Sequence, residues 1–161
     1  MPKPLAAARL AIKALAALGV AAYAAAALVT VGDVLGRQVG LPIIGVVDLV
    51  QLFVMAGTWL VMPHAFLAAA HVGVDFLISR LPRRARHALH VMAALVALVL
   101  LALMLWQGFA TFETRTMFGD SSQQLGIPIA WYWYPLLLGL GLCLPGVMLW
   151  LVAALREASD E

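Results

Sequence analysis

Four uninterrupted apolar runs, each near the length that crosses a bilayer, restrict this chain more than any other feature of it. They extend from about Leu10 to Val34, Ile43 to Ala70, Ala88 to Phe112 and Ile129 to Leu155. A helix needs roughly 17 to 25 apolar residues to cross the hydrocarbon layer. Backbone N–H and C=O groups find no water there, so only helices and closed barrels can span it. The runs lack the two-residue alternation of barrel strands. The expected fold is an all-α integral membrane protein, a single membrane domain over residues 1–161 with four transmembrane helices. Composition agrees, because 65% of the 161 residues are hydrophobic and 11% charged, against about 25% charged in soluble domains.

The net charge of +2 is small and dispersed, which argues against a nucleic-acid partner. Placement of the charges says more. Lys3, Arg9 and Lys13 precede the first run, Arg80, Arg83, Arg84 and Arg86 separate the second from the third, and Arg156 follows the fourth. Arg37 and Arg115 occupy the other two connections. Basic residues gather on the cytoplasmic side, so both termini are expected in the cytoplasm. The basic start and small residues such as Ala24 and Ala26 also fit a signal peptide. A signal core is typically 7 to 15 residues, and the longer first run is read as a retained helix. Cys143 is the single cysteine, which leaves no disulfide framework or zinc spacing to read.

The connection AAAHVGVDFLISRLPRRARHAL carries the most pattern. Val74, Leu77, Ile78 and Leu81 recur on one helical face, with Asp75, Ser79 and Arg80 largely off it. An amphipathic interfacial helix over about 71–81 fits, with Arg80, Arg83, Arg84 and Arg86 as membrane-surface anchors meeting anionic head groups. An ordinary orienting loop is the plainer reading. His71 and Asp75 stand four apart and can pair on one face. Pro82 ends the element and suits the start of the third helix.

Within the spans, Asp48, Gln51, Met55, Thr58 and Met62 follow one another at steps of three and four. Asp48, Gln51 and Thr58 are candidates for a helix interface, and an intramembrane acid also raises the alternative of a proton or ion site. Ala17, Ala21 and Ala25 on the first helix, and Gly139, Gly141 and Gly146 on the fourth, allow close helix approach. Pro63 and Pro145 remove backbone donors inside spans. Trp131, Tyr132, Trp133 and Tyr134 crowd the outer start of the fourth helix, where amphipathic rings form an interface belt or, alternatively, a ligand platform.

Chemistry is sparse. No nucleophile–base pair, phosphate loop or recognised metal motif is present, so no enzyme activity and no cofactor are expected. His64, His71, His87 and His90 supply enough imidazole for a haem, but most flank the spans. A haem- or quinone-binding redox anchor and an autonomous small channel stay as alternatives.

The ordered features resemble the small membrane subunit of tripartite ATP-independent periplasmic (TRAP) transporters, the Q-type small permease. In that family the second helix opens with an acidic residue and ends in a segment containing His and Val-Asp, matched by Asp48, His71, Val74 and Asp75. A Leu-Pro followed by basic residues is matched by Leu81, Pro82, Arg83 and Arg86. A Leu-Gly-Ile-Pro followed by aromatic residues and a proline is matched by Leu125, Gly126, Ile127, Pro128, Trp131, Tyr134 and Pro135. The chain departs in having Ala69 and Ala70 where the family often has a basic residue and a glycine, and Asp48 where glutamate is usual.

The resemblance implies three parts in the bacterial inner membrane and periplasm. A periplasmic substrate-binding protein captures an organic acid, a large membrane permease subunit carries it in with sodium, and the small subunit braces the large one. It implies docking of the periplasmic protein on the two outer loops, with Arg37 and Asp120 as candidate contacts.

Overall fold

The computed structural model describes residues 3–67 and 82–159 and consists of four helices: α1 (Lys3–Gln38), α2 (Val46–Leu67), α3 (Arg83–Met117) and α4 (Ala130–Ser159). All four carry stretches long and apolar enough to cross a membrane, at Leu10–Gln38, Val46–Phe66, Ala88–Met117 and Ala130–Met148. The expected interfacial helix over 71–81, with His71, Asp75 and Arg80, lies outside the described residues.

Three of the four helices, α1, α3 and α4, are longer than the apolar runs that announce them. The 36 residues of α1 extend about 54 Å at roughly 1.5 Å each, well beyond an approximately 30 Å hydrocarbon layer. One turn past the expected end at Val34, Arg37 pairs back to Asp33 at i, i+4 and carries the helix on to Gln38. At the C-terminal end of α3, the hydroxyls of Thr111 and Thr114 donate to the carbonyls four residues earlier, at Gln107 and Ala110. Polar residues can therefore continue a helix after its apolar run stops. α2 starts later than its run does, at Val46 and not Ile43. Gly45, at φ 78°, turns the chain immediately before it, a left-handed conformation that glycine adopts without a Cβ clash. Pro82 stands just before the first turn of α3, at φ −58° and ψ 147°, and its carbonyl accepts the Arg86 N–H.

Packing is serial. α1 lies on α2, α2 on α4 and α4 on α3, while α1 and α3 make no comparable contact with each other. Among the described residues the helices form an open row, in the order α1, α2, α4, α3, and do not close into a ring.

The α1–α2 seam uses Gly19, Ala26 and Asp33, buried at seven-residue intervals. That spacing keeps one stripe of a helix against its neighbour when the pair coils slightly. A Cβ at Gly19 would press on Val61, Leu60 and the Gly57 carbonyl, and a Cβ at Gly57 would meet the Tyr23 ring. The expected alanine row is displaced from this seam, since Ala17 and Ala21 are exposed and Ala25 is half-buried. Glycine permits a closer backbone approach than alanine, and the contact follows Gly19 and Gly57.

At the α2–α4 seam, a Cβ on Gly139 would overlap the backbone carbonyl of Trp59, whereas Gly141 faces open space and Gly146 only reaches Phe66. The core lies just beyond. Leu140, Cys143 and Val147 of α4 and Leu101 of α3 are buried, covered by Trp59, Met62 and Phe66 from α2 and by Leu98 and Leu105 from α3. Cys143 thus acts as a small apolar residue at the centre of the core.

Candidate functional site

The polar structure of the described residues concentrates where the α1–α2 and α3–α4 loops meet, around two buried carboxylates. Asp48 sits in the first turn of α2 with 5% of its surface exposed. Its Oδ2 accepts the backbone N–H groups of Gln124, at 2.9 Å, and Leu125, at 2.8 Å. The Ser122 hydroxyl also donates to it. Oγ of Ser122 in turn accepts the Ile127 N–H at 3.0 Å. Tyr132 of α4 donates its hydroxyl to the Asp48 backbone carbonyl at 3.1 Å. A carboxylate offers two oxygens and about four acceptor positions, and here they gather a loop that lies more than 70 residues further along the chain.

The Leu-Gly-Ile-Pro segment gains a structural meaning from this clamp. Leu125 gives its N–H to Asp48 and lays its side chain on Gly45, where any Cβ would overlap it. Gly126, at φ 66°, makes the turn. Ser122 and Ile127 are joined twice, by the Ser122 N–H donating to the Ile127 carbonyl at 2.9 Å and by the Ile127 N–H donating to the Ser122 hydroxyl oxygen. Pro128 opposes Ser121 in an isolated antiparallel bridge, and its carbonyl accepts the N–H of Trp131 at the start of α4. Pro135 lies within α4, half-buried.

Asp33 repeats the device on the first loop. It is also 5% exposed. One oxygen accepts the Ile43 N–H at 3.0 Å and the other the Arg37 Nε at 2.7 Å. Leu41 N–H reaches the Gly36 carbonyl at 2.8 Å and completes a tight return. Gly45 under Leu125 joins the two clamped loops. Charged acceptors make hydrogen bonds roughly twice as strong as neutral ones, which suits two acids that order irregular backbone at a bundle end.

Beside Asp48 a cleft of about 330 Å³ is bordered by Gln51, Arg115, Ser121 and Gln124, with Tyr132 in its wall. Arg115 stands 3.9 Å from Asp120 across the loop base, both half exposed.

The structure separates the residues of the expected α2 stripe. Asp48 faces the α3–α4 loop, Gln51 borders the cleft, Thr58 bonds the Tyr23 hydroxyl of α1 at 2.7 Å, and Met62 packs on the core. Among the expected membrane-surface anchors, Arg83 and Arg84 begin α3 and Arg86 is partly buried in its first turn. Arg37 and Asp120, the expected docking contacts, lie on the α1 end and the α3–α4 loop respectively, at the same end of the row. Of the aromatic group, Trp131 and Tyr134 are exposed and meet edge to face at 6.1 Å, while Tyr132 turns inward to the clamp. The sequence marks Asp33 as a loop start and Ser122 as a turn former, and it assigns no site role to them or to Tyr23. The available signal was Asp33 itself, an acid within the first apolar run.

A search of curated proteins returns no match. A family model does match, over residues 26–158, and its description is the DctQ component of tripartite ATP-independent periplasmic transporters. The matched stretch contains Asp33, Asp48 and the whole clamped loop. This multi-pass chain therefore belongs to the DctQ family, the small permease component of the TRAP transporters.

Proposed function

We propose that this chain braces a large permease subunit in the bacterial inner membrane, with both termini in the cytoplasm. In this reading the large subunit carries an organic acid inward with sodium, and a periplasmic binding protein delivers that acid to the outer loops. The observation that carries the reading is the open row of helices. A transporter encloses its substrate at mid-membrane between discontinuous helices, whereas a row offers broad apolar faces to a partner and to lipid. The placement of eight basic residues on one side and Arg37 and Arg115 on the other supports the orientation.

Asp33 and Asp48, the two buried acids among the described residues, are engaged by loop backbone, which supports a structural part for them over an ion relay. Intramembrane ionisable groups mark transport pathways when they face one another or a water-filled route. The role of Arg37 and Asp120 in docking belongs to the same proposal, since the clamps hold their loops in one arrangement before any partner arrives.

The decisive experiment deletes this chain while leaving the large subunit and the binding protein expressed. Sodium-driven uptake of the organic acid is expected to disappear and to return when the chain is supplied from a plasmid. Undiminished uptake without it overturns the proposal.

A further inference from the structure

The two clamped loops differ in chemistry. The α3–α4 loop presents Asp120, Ser121, Gln123 and Gln124. The α1–α2 loop with the first two residues of α2, Val39 to Val47, has no polar side chain at all, reading VGLPIIGVV. Its apolar groups are held outward, with Leu41 73%, Ile44 79% and Val47 64% exposed. A free loop of this composition would fold its side chains inward. Here the Asp33 and Gly36 contacts fix the backbone, while Val46 is half-buried and Ile43 leans back with its Cδ1 near Gly32 of α1.

Depth follows from the helix. Lys13, near the start of the α1 apolar run, is the last basic residue before Arg37, and Asp33 comes twenty residues after Lys13. At about 1.5 Å per residue this is roughly 30 Å, one hydrocarbon thickness. The hydrogen bond from Ile43 N–H to Asp33 Oδ1 brings the descending limb of the loop back to that level. Tilt of α1 would only place it deeper. The limb also continues the exposed apolar surface of α1 at Val34 and Leu35.

We infer that Leu41 to Val47 is an interfacial anchor, a clamped apolar loop whose side chains enter the acyl boundary of the bilayer at the end opposite Lys13. Burying an aliphatic side chain away from water is favourable, so several such groups hold α1 and the Asp33 clamp at fixed depth. The crest at Arg37 stays in the head-group zone, with its guanidinium on Asp33. The inference goes beyond the bracing role and rests only on the helices spanning a bilayer.

Site-directed spin labelling tests it, using the full chain assembled with its partner subunits in lipid nanodiscs. The label goes on Ile44→Cys, with Gln123→Cys on the polar loop as the aqueous reference. Cys143 is fully buried and stays unlabelled. The label at Ile44 is expected to collide freely with oxygen and poorly with a water-soluble nickel chelate, giving an oxygen-to-nickel ratio several-fold above that at Gln123. A label freely reached by nickel overturns the inference. So does a label shielded from both reagents, which would place a protein partner on the loop. Leu41→Cys carries the same expectations if the Ile44 variant fails to assemble. Uptake measured on the same assemblies reports separately on the bracing role.

Discussion

Replacing Gly139 with alanine tests the packing of the row at its central seam, with Gly141→Ala two residues away as an internal control. Both changes exchange glycine for the best helix former, a gain of up to about 1 kcal/mol in a helix interior. At Gly141 the added Cβ meets nothing within 4 Å, so that gain stands alone. At Gly139 it overlaps the carbonyl group of Trp59. That obstacle is backbone within α2 and cannot swing aside as the end of a side chain can. The α2–α4 pair must separate, and it is this pair that covers Leu140, Cys143 and Val147 with Trp59, Met62 and Phe66. Overpacking costs about 1 to 3 kcal/mol, and a gap of 0.5 to 1 Å forfeits roughly a quarter to a half of each dispersion contact. Because the obstacle is backbone, the upper part of that range, about 2 to 3 kcal/mol, applies, and after a propensity gain of about 1 kcal/mol Gly139→Ala is expected to destabilise by about 1 to 2 kcal/mol. At this chain length that lowers the melting temperature by roughly 2 to 8 °C. The assay is thermal unfolding of the purified chain in detergent, with both variants measured against the parent. Gly139→Ala melting at or above the parent refutes the packing argument. An equal loss from Gly141→Ala refutes it too, since the two positions would then be equivalent.

Asp48→Ala removes the acceptor shared by two loop amides, and amide hydrogen exchange at Gln124 and Leu125 is expected to accelerate strongly; Asp48→Asn, which keeps one carbonyl oxygen, should fall between it and the parent. Protection unchanged in Asp48→Ala would show that the loop holds itself. For the α1–α2 seam, a double-mutant cycle of Tyr23→Phe and Thr58→Val should give a coupling of about 0.6 kcal/mol, the usual scale for a hydrogen bond between membrane helices, and zero coupling would mean that the 2.7 Å contact contributes nothing. Charge reversal by Arg37→Glu or Asp120→Lys should weaken binding of the periplasmic protein to the assembled membrane subunits by several-fold at low salt and much less at high salt, as exposed charges are screened. Binding indifferent to both reversals removes those residues from the docking surface.

Much of this molecule is legible because hydropathy is a local property. Whether a residue prefers hydrocarbon depends on its own side chain and its immediate neighbours, so the four apolar runs announce four helices and the arginines gather toward the helix ends. Helix ends are less legible. Arg37 carries α1 past its apolar boundary through the pair with Asp33 four residues back, α3 runs on to Met117, and Gly45 delays α2 inside an apolar run.

By itself the sequence determined that the chain is a set of bilayer-length helices, and its ordered motifs pointed to the small subunit of a TRAP transporter. Only the tertiary structure decided that the helices stand in the order α1, α2, α4, α3, that Gly19 and Gly57 displace the alanine row from the seam, and that Asp48 clamps the Leu125 loop. The physical reason lies in the solvent. Lipid tails are as apolar as leucine, so no hydrophobic drive selects one apolar face over another, and helix pairing rests on shape and a few hydrogen bonds. The contacts of Asp48 to Leu125 and of Tyr132 to Asp48 join residues that are 77 and 84 positions apart. No local pattern encodes such partners; the folded geometry supplies them.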